Sequence, residues 1–193
     1  MSIKKKVIVR LAKKEDSEPL LGFFHQAAIE VNEMLTCLPN GSKGIYPSPE
    51  MILDILENHK VYIALDDTLK EGWRTEDGCI IGGMLSNHSY NPGFLQVDWQ
   101  RKLKDEEVAY WHCLRVLYAS QGRGAARQIM STAIQYEKEA GMNAIRFDTV
   151  TGNDNAIHLY DSLGFERRGI YPVYEEDIGW HDSLMFEMSL DQG

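Results

Sequence analysis

Residues 108–165 read VAYWHCLRVLYASQGRGAARQIMSTAIQYEKEAGMNAIRFDTVTGNDNAIHLYDSLGF. Val108 to Leu117 is a mostly apolar run, and it ends in a turn holding Gly122 and Gly124. Beyond the turn, Ala126, Ile129, Met130, Ala133 and Ile134 recur at helical spacing as far as Ala140, with Gly141 placed as terminator. A buried strand that feeds a glycine-rich turn and then a helix N-terminus is an anion site. The first four N–H groups of a helix lack partners within it, and the aligned peptide dipoles add about half a positive charge there. Without a Cβ, Gly122 and Gly124 let a phosphate approach the main chain, while Arg123 and Arg127 add cationic donors.

Two common phosphate cradles fail on specific residues. A P-loop needs Gly-Lys followed by Ser or Thr, and the chain contains no such tripeptide. A dinucleotide turn starting at Gly122 would put Arg127 where close helix–strand packing requires a small residue.

The segment Gln121-Gly122-Arg123-Gly124-Ala125-Ala126 instead resembles the Gln/Arg-x-x-Gly-x-Gly/Ala acyl-CoA signature of the GNAT superfamily of N-acetyltransferases. Asn153-Asp-Asn-Ala156-Ile-His-Leu159-Tyr160, followed by Leu163-Gly164-Phe165, is similar to a second block of that family. The close resemblance covers about residues 108–171; the N-terminal half matches in its order of elements. It implies a single α/β domain over residues 1–193, with a mixed sheet of about six or seven strands and about four helices. It further implies that the fourth strand (108–117) and the parallel fifth strand (144–150) splay apart. Main-chain groups near Leu114 and Val116 would then pair with the pantetheine arm of acetyl-CoA, and Gln121 to Ala126 would hold its pyrophosphate.

The reaction implied is direct attack of an amine on the acetyl thioester, with no metal. A lysine-like amine of pKa about 10.4 is protonated at pH 7, and neutralising it costs about 4.6 kcal/mol. A proton acceptor is therefore expected. His112 is the first candidate, because some small-amine members carry histidine at this place in the strand, and an imidazole titrates near neutrality; a buried structural histidine is the competing reading. Glu106 and Glu107 are carboxylate alternatives, with Glu175 and Asp182 further off. The resemblance assigns Tyr160 as general acid towards the departing thiolate, against a plain core role on its helix. Asn153 has two readings, helix N-cap and cofactor contact. Tyr118 stands where the family often has proline.

Upstream, Lys6–Leu11, Val61–Leu65 and Cys79–Leu85 read as strands, and Asp16 or Ser17 starts a helix running to about Met34. Residues 36–47 read as a loop, and Ser48-Pro49 starts a second helix. Gly82-Gly83 reads as a bulge or close packing. Residues 86–107 are the least legible; Val97 to Leu103 is a possible short helix, lining an acceptor site or covering an edge. Strands are expected at Phe165–Tyr171 and Asp182–Leu190, with an acidic loop at Glu175-Glu176-Asp177 between them.

Twenty basic and 29 acidic residues give a net charge of −9, which suits a cationic amine acceptor, small or peptide-borne, better than nucleic acid. No apolar run is long enough to span a membrane, so a soluble cytoplasmic protein is expected. Cys37, Cys79 and Cys113 show no zinc or disulfide spacing. His25, His59, His88, His158 and His181 show no metal spacing and read as structural or exposed. Cys113 beside His112 is not a nucleophile pair if the two side chains alternate along a strand. A homodimer is possible, since the superfamily often dimerises. The competing functions are a non-catalytic acyl-CoA-binding module of the same fold and a degenerate nucleotide-binding turn.

Overall fold

The computed structural model describes residues 7–34, 46–175 and 178–190. Its strands and helices, in chain order, are β1 (Ile8–Leu11), α1 (Ser17–Met34), α2 (Pro49–Asn58), β2 (Lys60–Asp66), β3 (Arg74–Thr75), β4 (Gly78–Asn87), β5 (Val108–Val116), α3 (Ala125–Glu139), β6 (Ala144–Val150), α4 (Asp154–Ser162), β7 (Glu166–Glu175) and β8 (Gly179–Ser189). Four α-helices and eight strands are thus present among the described residues, one strand more than the upper sequence expectation. The extra one is the two-residue β3, whose Arg74 and Thr75 pair with Cys79 and Gly78. The expected loop at 36–47 and Cys37 lie largely outside the described residues, as do Glu176 and Asp177 of the acidic loop.

The chain divides into two compact units, and β5 contributes to both. In the first unit β1, β2 and β4 form an antiparallel ladder, with Ile8 opposite Leu65 and Tyr62 opposite Met84. One face of this ladder is apolar because α1 and α2 cover it. Leu20, Phe23, Phe24, Ile52 and Ile55 pack there against Val61, Ile63, Leu65, Ile80 and Leu85, all at most 2% exposed. The Ser48 hydroxyl caps α2 by accepting from the Met51 amide at 3.2 Å, as its position before Pro49 predicts. The Gly82-Gly83 pair answers to both sequence readings. The register slips between Ala64 and Leu65, opposite Gly82, and a Cβ on Gly83 would meet Phe23 at 2.9 Å.

In the second unit β6, β8 and β7 are antiparallel, with Phe147 opposite Phe186 and Tyr171 opposite Ser183. β7 and β8 are longer than their sequence patterns suggest, reaching Glu175 and starting at Gly179. Val97–Leu103 is not helical. Its apolar residues are used instead to cover the sheet after a 3₁₀ turn at Pro92–Gln96, where Phe94, Val97, Trp99 and Leu103 pack with Val108, Tyr110, Val173 and Met185. Asn91 and Gln96 fasten the segment by donating to the carbonyls of Tyr174 and Pro172.

The parallel β5–β6 ladder holds only three residue pairs, Val108–Ala144 to Tyr110–Arg146. β5 runs on to Val116 without further pairing to β6. Cys113 takes a left-handed φ of 54° within β5, and its side chain packs against the cluster under α1 and α2. No helix among the described residues is long and apolar enough to cross a membrane.

Candidate active site

In the first unit, β5 leads through a 3₁₀ turn at Tyr118–Ser120 into the glycine turn, and α3 begins at Ala125. The helix therefore starts three residues later than the pattern from Gly122 predicts. Gly122 and Gly124 take φ of 72° and 80°, and Gly122 faces open space where a Cβ would be. Positive φ at alternate residues aims successive N–H groups to one side, as a nest does. Gln121 N–H donates to the Tyr118 carbonyl at 3.1 Å, so it is already used. Among the described residues, no backbone hydrogen bond is donated by the amides of Gly122, Arg123, Gly124, Ala125 or Ala126. The first helical bond into the turn comes from Gln128 N–H to the Gly124 carbonyl, 3.0 Å. Main-chain donors with no internal backbone acceptor, in a turn that is open beside Gly122, fit a phosphate group.

Side chains hold this nest from below. Arg123 ion-pairs through NH2 with Asp66 Oδ2 at 2.6 Å, and Asp66 is fully buried at the end of β2. Burial raises the Asp66 pKa, yet the Thr68 hydroxyl and amide and the Arg123 guanidinium outweigh it and hold the carboxyl at about 2. Part of the positive charge expected from Arg123 is therefore spent inside the protein. Tyr118 donates its backbone N–H to Glu30 Oε2 at 2.7 Å, a bond that a proline there could not make. Gln121 Nε2 reaches towards the Val116 carbonyl at 3.5 Å, and the Leu114 carbonyl accepts from Arg115 at 3.2 Å. His112 stands on the same strand, half-buried and engaged.

The second unit carries the other expected residues. Tyr160 is 7% exposed on α4, with Phe147 and Phe186 edge-on to its ring at 4.7 and 5.2 Å. The helix closes as its Leu-Gly-Phe signature predicts: Gly164 has φ of 87° and Phe165 N–H reaches the Tyr160 carbonyl at 3.2 Å. Asn153 sits at the N-cap position of α4 without a side-chain cap bond, which corrects the capping half of its reading. Its Nδ2 donates to Thr149 Oγ1 at 3.1 Å and ties the β6–α4 turn instead.

The carboxylate alternatives separate. Glu107 accepts from the Lys104 amide and from Asn143, and these bonds hold its pKa low, so it is a poor proton acceptor. Glu106 is exposed near Lys104, and Asp182 is exposed with its side chain opposite in direction to His181 and Ser183. What sequence reading missed is Asp148. It gathers with Glu175 and His181 so that one donor atom of each lies within 4.8 Å of the others. The positions are 148, 175 and 181, and only the β6–β8–β7 register joins them.

The family model for the acetyltransferase (GNAT) family matches residues 30–165 of this chain, well over half of its length. A Mycobacterium leprae protein is 40% identical over 74 residues, 38% of this chain and 20% of its own length. Mycothiol acetyltransferase of Rhodococcus jostii is 28% identical over 98 residues, 50% of this chain and 32% of its own. The chain thus spans about a third or less of these relatives. Among solved structures, a Salmonella typhimurium protein with its cofactor acetyl-CoA superposes with a TM-score of 0.67 at 18% identity, covering 97% of this chain and 95% of that one. Arabidopsis thaliana NAA60, in complex with a bisubstrate analogue, gives 0.66 at 15% identity, covering 95% and 98%. The amide nest after β5, the short parallel β5–β6 ladder and the family match over residues 30–165 identify the chain as a member of the GNAT acetyltransferase family.

Proposed function

We propose that this protein transfers the acetyl group of acetyl-CoA to the amino group of a small molecule or peptide. The observation that carries the reading is the row of backbone N–H groups from Gly122 to Ala126, directed out of a turn that Asp66 and Arg123 hold in shape. Acetyl-CoA supplies an activated acetyl thioester. Gly122, Arg123, Gly124, Ala125 and Ala126 hold its pyrophosphate, with Gln121 orienting the turn through its side chain. The main chain at Leu114 and Val116 holds the pantetheine arm, and Asn153 contacts the cofactor. The proton for the departing thiolate comes from the Tyr160 hydroxyl, since a phenol of pKa about 10 is a competent donor to a thiolate of pKa about 8.5. His112 is a candidate for accepting the amine proton. The acidic balance of the chain favours a cationic acceptor.

Calorimetry with CoA, acetyl-CoA and NAD, followed by thiol release with a broad amine panel, tests the proposal. Binding of acetyl-CoA with no thiol release from any amine would favour the binding-module alternative; binding of NAD alone would remove both. Tyr160→Phe keeps the ring packing and should lower kcat by about 10²-fold at unchanged acetyl-CoA affinity.

A further inference from the structure

Four polar side chains converge on one face of the second unit, on the side of β6 opposite to Phe147. Along β6 the alternation places Asp148 with Arg146 and Val150, and the antiparallel register sets these across from Met185, Glu187 and Ser183. Across β7 and β8, Tyr171 faces Ser183 and Val173 faces His181, while Glu175 and Gly179 close the hairpin. Among the described residues, Arg146 on this face is taken by Glu187, at 2.9 Å, and by the Arg101 carbonyl, while Arg168 is paired with both Glu187 and Glu166. Among the described residues, Asp148 is left with His181, Glu175 and Ser183, and no arginine or lysine acts on it.

The hydrogen-bonding inventory of this group is incomplete in a telling way. Ser183 is fully buried, and its Oγ has no well-aligned hydrogen-bond partner, although it lies near enough to Asp148 to favour the carboxylate. A buried hydroxyl without a partner is unfavourable unless a ligand or water completes it. His181 lies 3.0 Å through Nδ1 from the Gly179 carbonyl. A carbonyl only accepts, so Nδ1 carries a proton, and Nε2 is the ring nitrogen left to exchange one. That Nε2 is 4.0 Å from Glu175, whose side chain is 32% exposed while the His181 side chain is 4% exposed. The group therefore joins two half-buried carboxylates, Asp148 and Glu175, through a buried imidazole. Burial, the largest influence, raises the Asp148 pKa, with Ser183 and His181 partly opposing it. A carboxyl shifted this way takes up a proton more readily than an ordinary one.

We propose that Asp148, His181, Glu175 and Ser183 form the acceptor-amine pocket of this acetyltransferase, with Asp148 taking the ammonium proton and His181 and Glu175 passing it to solvent. The inference rests on the acetyltransferase reading and refines it to amines protonated at neutral pH. The bond that breaks first is N–H of R–NH₃⁺, its proton going to a carboxylate oxygen of Asp148. The freed nitrogen lone pair then forms the N–C bond as the acetyl C–S bond breaks; the nitrogen releases its second N–H proton to solvent, and the thiolate sulfur takes the proton of Tyr160. Acetylamide and CoA thiol are the products, and Tyr160 recovers its proton from solvent.

The test compares phenethylamine, protonated at pH 7, with aniline, neutral at pH 7, as acceptors. Asp148→Asn should lower kcat/KM for phenethylamine about 10²-fold or more and for aniline less than about 5-fold, with acetyl-CoA affinity by calorimetry unchanged. His181→Gln and Glu175→Gln should move the acidic limb of the kcat/KM–pH profile without abolishing turnover. Equal losses for both amines, or no loss, overturn the proposal. If neither amine is turned over, NMR titration of the His181 ring with butylammonium decides: a saturable shift lost in Asp148→Asn and altered in Ser183→Ala supports the pocket, and no shift overturns it. Saturable Mn²⁺ broadening of His181 without any butylammonium shift would make the group a cation site, also overturning it. Failure to bind acetyl-CoA would remove the transferase reading while leaving the ammonium titration to be judged by itself.

Discussion

Arg123 NH2 lies 2.6 Å from Asp66 Oδ2, so the glycine turn after β5 is fastened to the buried end of β2. The pair links local sequence to function. The turn carries the proposed diphosphate donors, and a strand 57 positions earlier in the chain sets its shape.

Asp66→Asn should cost about 2 kcal/mol, because a carboxyl held near 2 instead of 3.8 gains roughly 1.4 kcal/mol per unit from its partners in the fold. The folded pKa is depressed, so this contribution is present above about pH 4 and lost as pH falls towards 2. Thermal melts at pH 7 should show the variant about 4–8 °C lower, with the two proteins converging below about pH 3. Acetyl-CoA affinity should fall in the same variant; equal Tm values at pH 7 would refute the assigned pairing.

Gly122→Ala should separate fold from ligand. A Cβ there meets nothing within 4 Å, so the only structural cost is the left-handed φ of 72°, about 1–2 kcal/mol. The methyl group nonetheless stands where a phosphate would approach. Calorimetry should find acetyl-CoA binding weakened about 10-fold or more in a protein that still melts cooperatively.

Cys113 tests the left-handed φ within β5. Its φ of 54° disfavours β-branched side chains most, so Cys113→Val should lower Tm more than Cys113→Ser, although valine is the better apolar match to the surrounding cluster. The reverse order would mean that packing outweighs backbone strain there.

Glu187, 1% exposed, bonds Arg146, Arg168 and the Gln100 amide together. Glu187→Met leaves the buried Arg146 guanidinium without its carboxylate, while Arg168 keeps Glu166, and should destabilise by about 3–5 kcal/mol. Arg146→Met should cost less, because Glu187 keeps Arg168 and the buried methionine can still pack near Trp99, whose ring lies 4.6 Å from the Arg146 guanidinium. Urea denaturation of the two variants compares them directly.

The order of strands and helices, the glycine turn, the Ser48 cap and the Leu-Gly-Phe terminator were all legible in the chain, because each depends on residues within a few positions of one another. Periodicity of apolar residues decides strand or helix before any long-range contact exists. The tertiary structure alone decided the rest. Residues 97–103 could not reveal that they would cover a sheet without forming a helix, since their apolar side chains serve either purpose. Asn153 looked like a cap until Thr149, across the turn, claimed its amide. Asp148, Glu175 and His181 carry no mutual spacing in the chain; a register of hydrogen bonds between three strands puts them together, and burial, which no single residue encodes, gives Asp148 its altered acidity.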